Sequence, residues 1–211
     1  DAHNRQWEAK EFANGPDERV VGEGVEVAGS TLAIIGLGTI GEQVARRASG
    51  WDVDVIGYKR EPERYDGIVR RVFGPGQLLE VCRMADILVL TLPGSDETHH
   101  LIGAPELEAL GAGWLINVGR GSVVDELALI GALTNGELLG AGLDVFEREP
   151  LPEGSPLWDM SNVVITPHIA GTTPHYGERL ATIFQHNLRA FLGEDVRWMN
   201  QVAGGKREEG T

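Results

Sequence analysis

A chain of 211 residues with 42% hydrophobic and 24% charged residues has the composition of a globular protein, with room for one full domain and part of a second. Its net charge of −14 argues against nucleic acid or an anionic membrane as partners, because both demand clustered cations, and no apolar run approaches the roughly 20 residues that span a bilayer. The one cysteine, Cys82, excludes an internal disulfide and a cysteine-built metal site, and its helical setting predicts a buried structural thiol. Residues 1–10 mix charged and polar groups without a basic start and an apolar centre, so the reading is of a cytoplasmic protein. Fifteen Arg stand against three Lys. That skew fits either a GC-rich genome or a surface adapted to brine, and a salt titration of stability separates the two.

In chain order, residues 1–13 could form a helix that Asn14-Gly-Pro-Asp17 breaks. Strand-like runs then follow at Thr31–Ile35, Val53–Tyr58, Val69–Phe73, Ile87–Leu92, Trp114–Val118, Gly140–Val145 and Val163–Thr166. Between them lie a helix running from a glycine turn to about Ser49, and further helical segments at Gln77–Met84, Pro105–Leu110 and Asp125–Leu133. Strands alternating with helices predict an α/β fold, a doubly wound parallel sheet covered on both faces. Beyond it, apolar residues at Tyr176, Leu180, Ile183, Phe184, Leu188 and Phe191 form a helical stripe that ends at Gly193, and the polar tail from Gly204 is expected to fray.

Gly36-Leu-Gly38-Thr39-Ile40-Gly41 follows the first strand and opens a helix, which is the setting a dinucleotide-binding turn requires. Gly36 permits the tight turn, Gly38 lets the backbone approach a pyrophosphate, and Gly41 lets helix and strand pack closely. The helix N-terminus adds unpaired N–H groups and a positive dipole end. An NAD-specific turn would place an acidic residue at the end of the second strand. Here that strand ends in Lys59 and Arg60.

Three polar segments close later strands: Asn117–Gly121, Leu143–Pro150 and Thr166–Gly171. They bring Arg120, Glu149 and His168 to the sheet edge where open α/β sheets bind ligands, and an Arg, a carboxylate and a His there suggest proton and hydride chemistry on an anionic substrate. Taken singly, each has an ordinary alternative: a surface ion pair for Arg120, a solvated charge for Glu149, a satisfied core histidine for His168. His99 and His100, adjacent in sequence, point in different directions, so no metal site is expected.

From about Val27 to Val202 these segments resemble the signature blocks of the D-isomer-specific 2-hydroxyacid dehydrogenase family, together with Ala85–Pro93, Glu97–Gly103 and Gly121–Glu126. The resemblance implies a Rossmann-like cofactor domain and hydride transfer between NAD(P)H and a small 2-keto acid of the glyoxylate, hydroxypyruvate or pyruvate class. It implies that Arg120 holds the substrate carboxylate and carbonyl, that His168 is the acid/base, and that Glu149 orients and charges His168. Asp144 would meet the nicotinamide end. Further cofactor contacts are implied for Thr39, Ile40, Leu92, Pro93 and Thr98, and for Val118, Gly119, Ile169, Ala170 and Gly171.

Chemistry gives each role a reason. Keto-acid reduction needs a protonated imidazole within hydrogen-bond reach of the carbonyl oxygen, and a carboxylate beside His168 favours the imidazolium. Arg120 can grip a carboxylate through two parallel N–H···O bonds. Related formate dehydrogenases carry an amide where Glu149 stands, so formate is not the expected substrate. A nucleotide-sensing corepressor of the same fold is the alternative function, opposed by the acidic balance. An L-lactate-type dehydrogenase would show different motifs around its Arg and His. Lys59 and Arg60 favour NADP over NAD, since cations attract the 2′-phosphate that a carboxylate repels, although Glu61 and Glu63 dilute the local field.

The resemblance also predicts a chain that lacks an N-terminal substrate lobe. Residues 1–13 are then an interdomain helix, 14–172 the dinucleotide-binding domain, 173–202 a return helix and remnant of the substrate domain, and 203–211 a disordered tail. The return helix, over 174–193, should have its apolar stripe packed on that lobe. A homodimer through the cofactor domain is expected.

Overall fold

The computed structural model describes residues 26–194 and 196–200. The expected helix over residues 1–13 and the tail over 203–211 lie outside the described residues. Seven strands, β1 (Thr31–Ile35), β2 (Asp54–Tyr58), β3 (Arg71–Phe73), β4 (Ile87–Leu90), β5 (Trp114–Asn117), β6 (Gly140–Leu143) and β7 (Val163–Ile165), form one sheet in the order β3-β2-β1-β4-β5-β6-β7. Every neighbouring pair is parallel. The order reverses direction between β1 and β4, the switch point at which such sheets open a ligand crevice.

Both faces of β1 are covered, which is why its sequence is a continuous apolar run without alternation. Ala33 and Ile35 face one core with Leu88, Leu90 and Leu115, and with α2 (Leu78–Met84), α3 (Ala104–Leu110) and α4 (Glu126–Thr134). Leu32 and Ile34 face the other core, with Ala45 and Ala48 of α1 (Thr39–Ala48). Ile34, Ile35, Leu88 and Leu90 are wholly buried, each stabilising the fold by about 1.5–3 kcal/mol of transfer free energy. Cys82 on α2 is wholly buried too, and burial, with the nearby Glu106 charge adding, pushes its thiol up to about 12.

The strand ends show where local chemistry overrides pattern. The sequence predicts a third strand from Val69, but the ladder begins at Arg71. The amides of Ile68 and Val69 are instead taken by side chains, the Glu42 carboxylate at 3.3 Å and the Tyr65 hydroxyl at 3.1 Å.

The chain divides into two compact units between Ala170 and Gly171. In the second, α5 (Tyr176–Phe191) is an amphipathic helix of 16 residues. The segment after it is bound back to the helix: Asn187 exchanges two bonds with Met199, at 3.0 and 2.8 Å, and His186 Nε2 donates to the Arg197 carbonyl at 2.6 Å. Tyr176, Leu180, Phe184, Leu188 and Phe191 of α5 are 41–74% exposed. No described helix is long and apolar enough to cross a membrane.

Candidate active site

The turn between β1 and α1 sits at the switch point. Gly36 has φ +105°, which a side chain would strain. A Cβ on Gly41 would stand 2.2 Å from the Gly36 carbonyl oxygen, so only glycine lets α1 start this close to β1. On the outer side, a Cβ on Gly38 would meet nothing within 4 Å among the described residues, which leaves the approach that a pyrophosphate needs to the first turn of α1. The geometry fits a dinucleotide.

Lys59, just beyond β2, reaches this turn, with its Nζ donating to the Leu37 carbonyl at 3.4 Å. Arg60 follows it and pairs with Glu97 at 2.7 Å, both side chains exposed. Leu92 lies under the turn, its Cδ2 2.9 Å from where a Gly36 Cβ would be. Pro93 and Thr98 belong to one tight loop: Thr98 Oγ1 donates to the Pro93 carbonyl at 2.8 Å and accepts from the Ser95 amide at 2.9 Å. Thr39 and Ile40 open α1, and Ile40 is exposed.

Past β5, Asn117 shapes the segment that carries Arg120. It is buried, accepts from the Gly119 amide at 3.0 Å and donates to the Arg120 carbonyl at 3.0 Å. Gly119 passes so near the preceding loop that a Cβ there would stand 2.6 Å from the Leu92 carbonyl oxygen. Val118, between them, donates its amide to the Leu90 carbonyl at 3.2 Å. Arg120 itself is exposed, and its Nη1 donates to the Gly119 carbonyl at 2.7 Å.

Past β6 and β7 the two remaining groups meet. His168 Nδ1 and Glu149 Oε2 are 2.7 Å apart, and Glu149 Oε1 accepts the Phe146 amide at 3.1 Å. Burial pushes the Glu149 carboxyl up, but the His168 bond, the Phe146 amide and the charges of His168 and Arg120 outweigh it and hold the group below the usual carboxylate range. Arg120 is thus close enough to act on Glu149 through its charge. Beside the pair lies a cavity of about 410 Å³ lined by Phe146, Pro150, Leu151, Trp158, Ile165 and Pro167 as well as Glu149 and His168.

Asp144 is buried and fully engaged by protein: Oδ1 accepts from Thr166 Oγ1 at 2.5 Å and the Ile169 amide at 2.8 Å, and Oδ2 accepts the Ala170 amide at 2.9 Å. Burial raises this carboxyl, yet the three donors and the His168 charge bring it below its ordinary value. Ile169 and Ala170 are therefore held as a turn on Asp144, while Gly171 begins the second unit.

Asn117 and a cluster of His100, Asp125 and Glu147 were not singled out from the sequence. Asn117 had a usable signal, a buried-position amide before a Gly-Arg-Gly turn. The cluster had none, since its members are 22 to 47 residues apart.

Residues 1–170 match the family described as D-isomer specific 2-hydroxyacid dehydrogenase, NAD binding domain. A glyoxylate/hydroxypyruvate reductase B of Enterobacter sp. (strain 638) is 45% identical over 175 residues, 82% of this chain and 54% of that protein. A glyoxylate reductase of Thermococcus gammatolerans is 39% identical over 194 residues, 90% of this chain and 56% of that protein. Among solved structures, a D-isomer specific 2-hydroxyacid dehydrogenase from Xanthobacter autotrophicus Py2, in complex with NADPH and MES, superposes with a TM-score of 0.74 at 38% identity, covering 83% of this chain and 72% of that one. An NADPH-dependent glyoxylate/hydroxypyruvate reductase from Sinorhizobium meliloti, in complex with NADP and sulfate, gives 0.74 at 30% identity, covering 87% and 59%. The chain spans about half the length of the curated relatives it matches.

Proposed function

Because the chain belongs to the D-isomer specific 2-hydroxyacid dehydrogenase family, we propose that it is the cofactor-binding and catalytic part of an NADP-preferring reductase of small 2-keto acids such as glyoxylate and hydroxypyruvate. The observation that carries this reading is the His168–Glu149 pair at 2.7 Å, set beside the Arg120 segment at the edge of the sheet where ligands bind.

Reduced nicotinamide supplies the hydride that goes to the carbonyl carbon. Everything else falls to side chains. Arg120 binds the substrate carboxylate through its fork of N–H groups and polarises the carbonyl. His168 gives Nδ1–H to Glu149, which leaves Nε2–H to protonate the carbonyl oxygen as it becomes a hydroxyl. Glu149, ionised through the working pH range, favours the imidazolium that the step consumes. In the reverse direction the same Nε2 takes the hydroxyl proton. Gly36, Gly38 and Gly41 admit the pyrophosphate, and Lys59 and Arg60 are the cations offered to a 2′-phosphate. The small-molecule names of the relatives, glyoxylate and hydroxypyruvate reductases, support the substrate class.

On the same reading, a homodimer forms through the cofactor domain, and the exposed apolar face of α5 is covered by further substrate-domain structure. The test is the oxidation of NADPH at 340 nm by the full-length protein with glyoxylate. Turnover is expected, and His168→Ala should abolish it while cofactor binding stays near wild type. Activity in His168→Ala within about tenfold of the parent would remove His168 from the acid/base role.

A further inference from the structure

Three loops at the catalytic edge of the sheet are tied by contacts outside the groups assigned to chemistry. The loop after β4 meets the loop after β5 where the His100 amide donates to the Ser122 carbonyl at 2.8 Å. The loop after β5 lies flat on the loop after β6, since a Cβ on Gly121 would stand 1.8 Å from the Phe146 carbonyl carbon. Closing the triangle, His100 Nε2 is hydrogen-bonded to Glu147 Oε1. Glu147 and Glu126 also exchange bonds: the Glu147 amide donates to Glu126 Oε2 at 3.1 Å, and the Glu126 amide to Glu147 Oε1 at 3.4 Å.

The surroundings make the imidazole hard to replace. Ligating atoms of His100, Asp125 and Glu147 lie within 4.8 Å of one another, and Glu126 adds a third carboxylate beside them. Asp125 Oδ1 already caps α4 by accepting the Ala128 amide at 3.1 Å, so the cluster reads as a satisfied network and not as a cation site. Without the imidazole, Glu147 would face two other carboxylates with only the long Glu126 amide bond at 3.4 Å to hold it, and like charges at that distance drive the side chain outward. Glu147 is two residues from Glu149 and adjoins Phe146, whose amide holds Glu149 Oε1. On the other side, Ser122 is two residues from Arg120.

We propose that His100 and Glu147 form a positioning pair that sets the Arg120 loop and the Glu149 loop in register, so that substrate-carboxylate binding and proton transfer address the same carbonyl. The pair rests on the keto-acid reductase reading given above. It touches neither substrate nor cofactor in this assignment, and acts through the two loops.

The test exploits reach and backbone. His100 has φ +50°, a conformation that asparagine tolerates well, so His100→Asn keeps the loop unstrained while its amide is too short to meet Glu147. His100→Gln places an amide donor near the position of Nε2. The full-length protein, its two variants and Glu147→Ala are compared for glyoxylate reduction and for NADPH binding by fluorescence. We expect His100→Asn and Glu147→Ala each to lose roughly tenfold or more in kcat/KM, with a raised KM for glyoxylate, and the double variant to lose no more than either alone. His100→Gln should stay within about threefold of the parent, and the NADPH Kd within about twofold in all. A role in folding alone would lower the amount of binding-competent protein and leave KM for glyoxylate in place. Parental kinetics in His100→Asn, an equal loss in His100→Gln, or additive losses in the double variant would each overturn the pair. Should Glu147→Ala bind no NADPH, the Asn and Gln variants alone decide. A parent that binds NADPH but reduces no 2-keto acid would instead overturn the reading on which the pair rests.

Discussion

His168 stands in the left-handed conformation, φ +53°, because Asp144 binds the turn that carries it. The Asp144 carbonyl accepts the His168 amide at 2.9 Å, and its carboxylate accepts the next two amides and the Thr166 hydroxyl. A non-glycine residue at positive φ is held against its own preference, at a cost of about 1–3 kcal/mol that the surrounding bonds must exceed. Asp144→Asn must turn an N–H toward a donor, and is expected to destabilise the protein by roughly 1–3 kcal/mol and to lower kcat by about tenfold. Urea unfolding and glyoxylate turnover measure the two effects, and parental values in both would refute the role.

Acid should release Glu149 late. Its folded-state value lies below its ordinary 4.5, so its contribution to stability is fully present above that value and is lost as pH falls through the depressed one. Glu149→Gln is therefore expected to melt below the parent at neutral pH and to converge with it as pH falls through the depressed value. The pair is over one-third exposed, so the gap in Tm is small. Melting curves from pH 3 to 7 decide, and a constant gap across that range would count against the linkage.

Arg60 has two suitors. In this structure it pairs with Glu97, while its neighbour Lys59 reaches the cofactor turn. A 2′-phosphate recruiting Arg60 must displace that carboxylate, and an exposed pair of this kind is worth roughly 0–1 kcal/mol. Glu97→Gln is thus expected to raise the NADPH to NADH ratio of kcat/KM by up to about fivefold, whereas Lys59→Asp should reverse it. Calorimetry with 2′,5′-ADP against ADP reads the same preference without turnover. A parent that favours NADH would end the argument for NADP.

Arg120→Lys replaces a planar fork with a point charge. The KM for glyoxylate should rise about tenfold to hundredfold, with a smaller change in NADPH affinity. An unchanged KM would move the substrate carboxylate to another group.

The centre of the sheet was legible because strands buried on both faces, such as β1 and β4, must be apolar throughout, and all seven runs announced themselves to within two residues. Gly36, Gly38 and Gly41 were legible because the turn has few sequence solutions. The His168–Glu149 contact was legible only through resemblance to a family, since nothing in the sequence fixes a contact across 19 residues. Asp144 was assigned to the nicotinamide end, and the structure adds its grip on the His168 turn. Contacts such as Arg60 with Glu97 and His100 with Glu147 escaped because they depend on how separate loops lie on one another, which periodicity does not encode.

The buried thiol at Cys82 has a practical consequence. A sulfhydryl pushed up to about 12 and sealed from solvent stays protonated, so among these 211 residues no native thiol competes for a thiol-directed reagent. A single cysteine introduced on the exposed face of α1 or α4 would then accept a fluorophore or spin label at one defined place. Loop rearrangement during turnover could be watched by spectroscopy in the native sequence background, with no cysteine removed first.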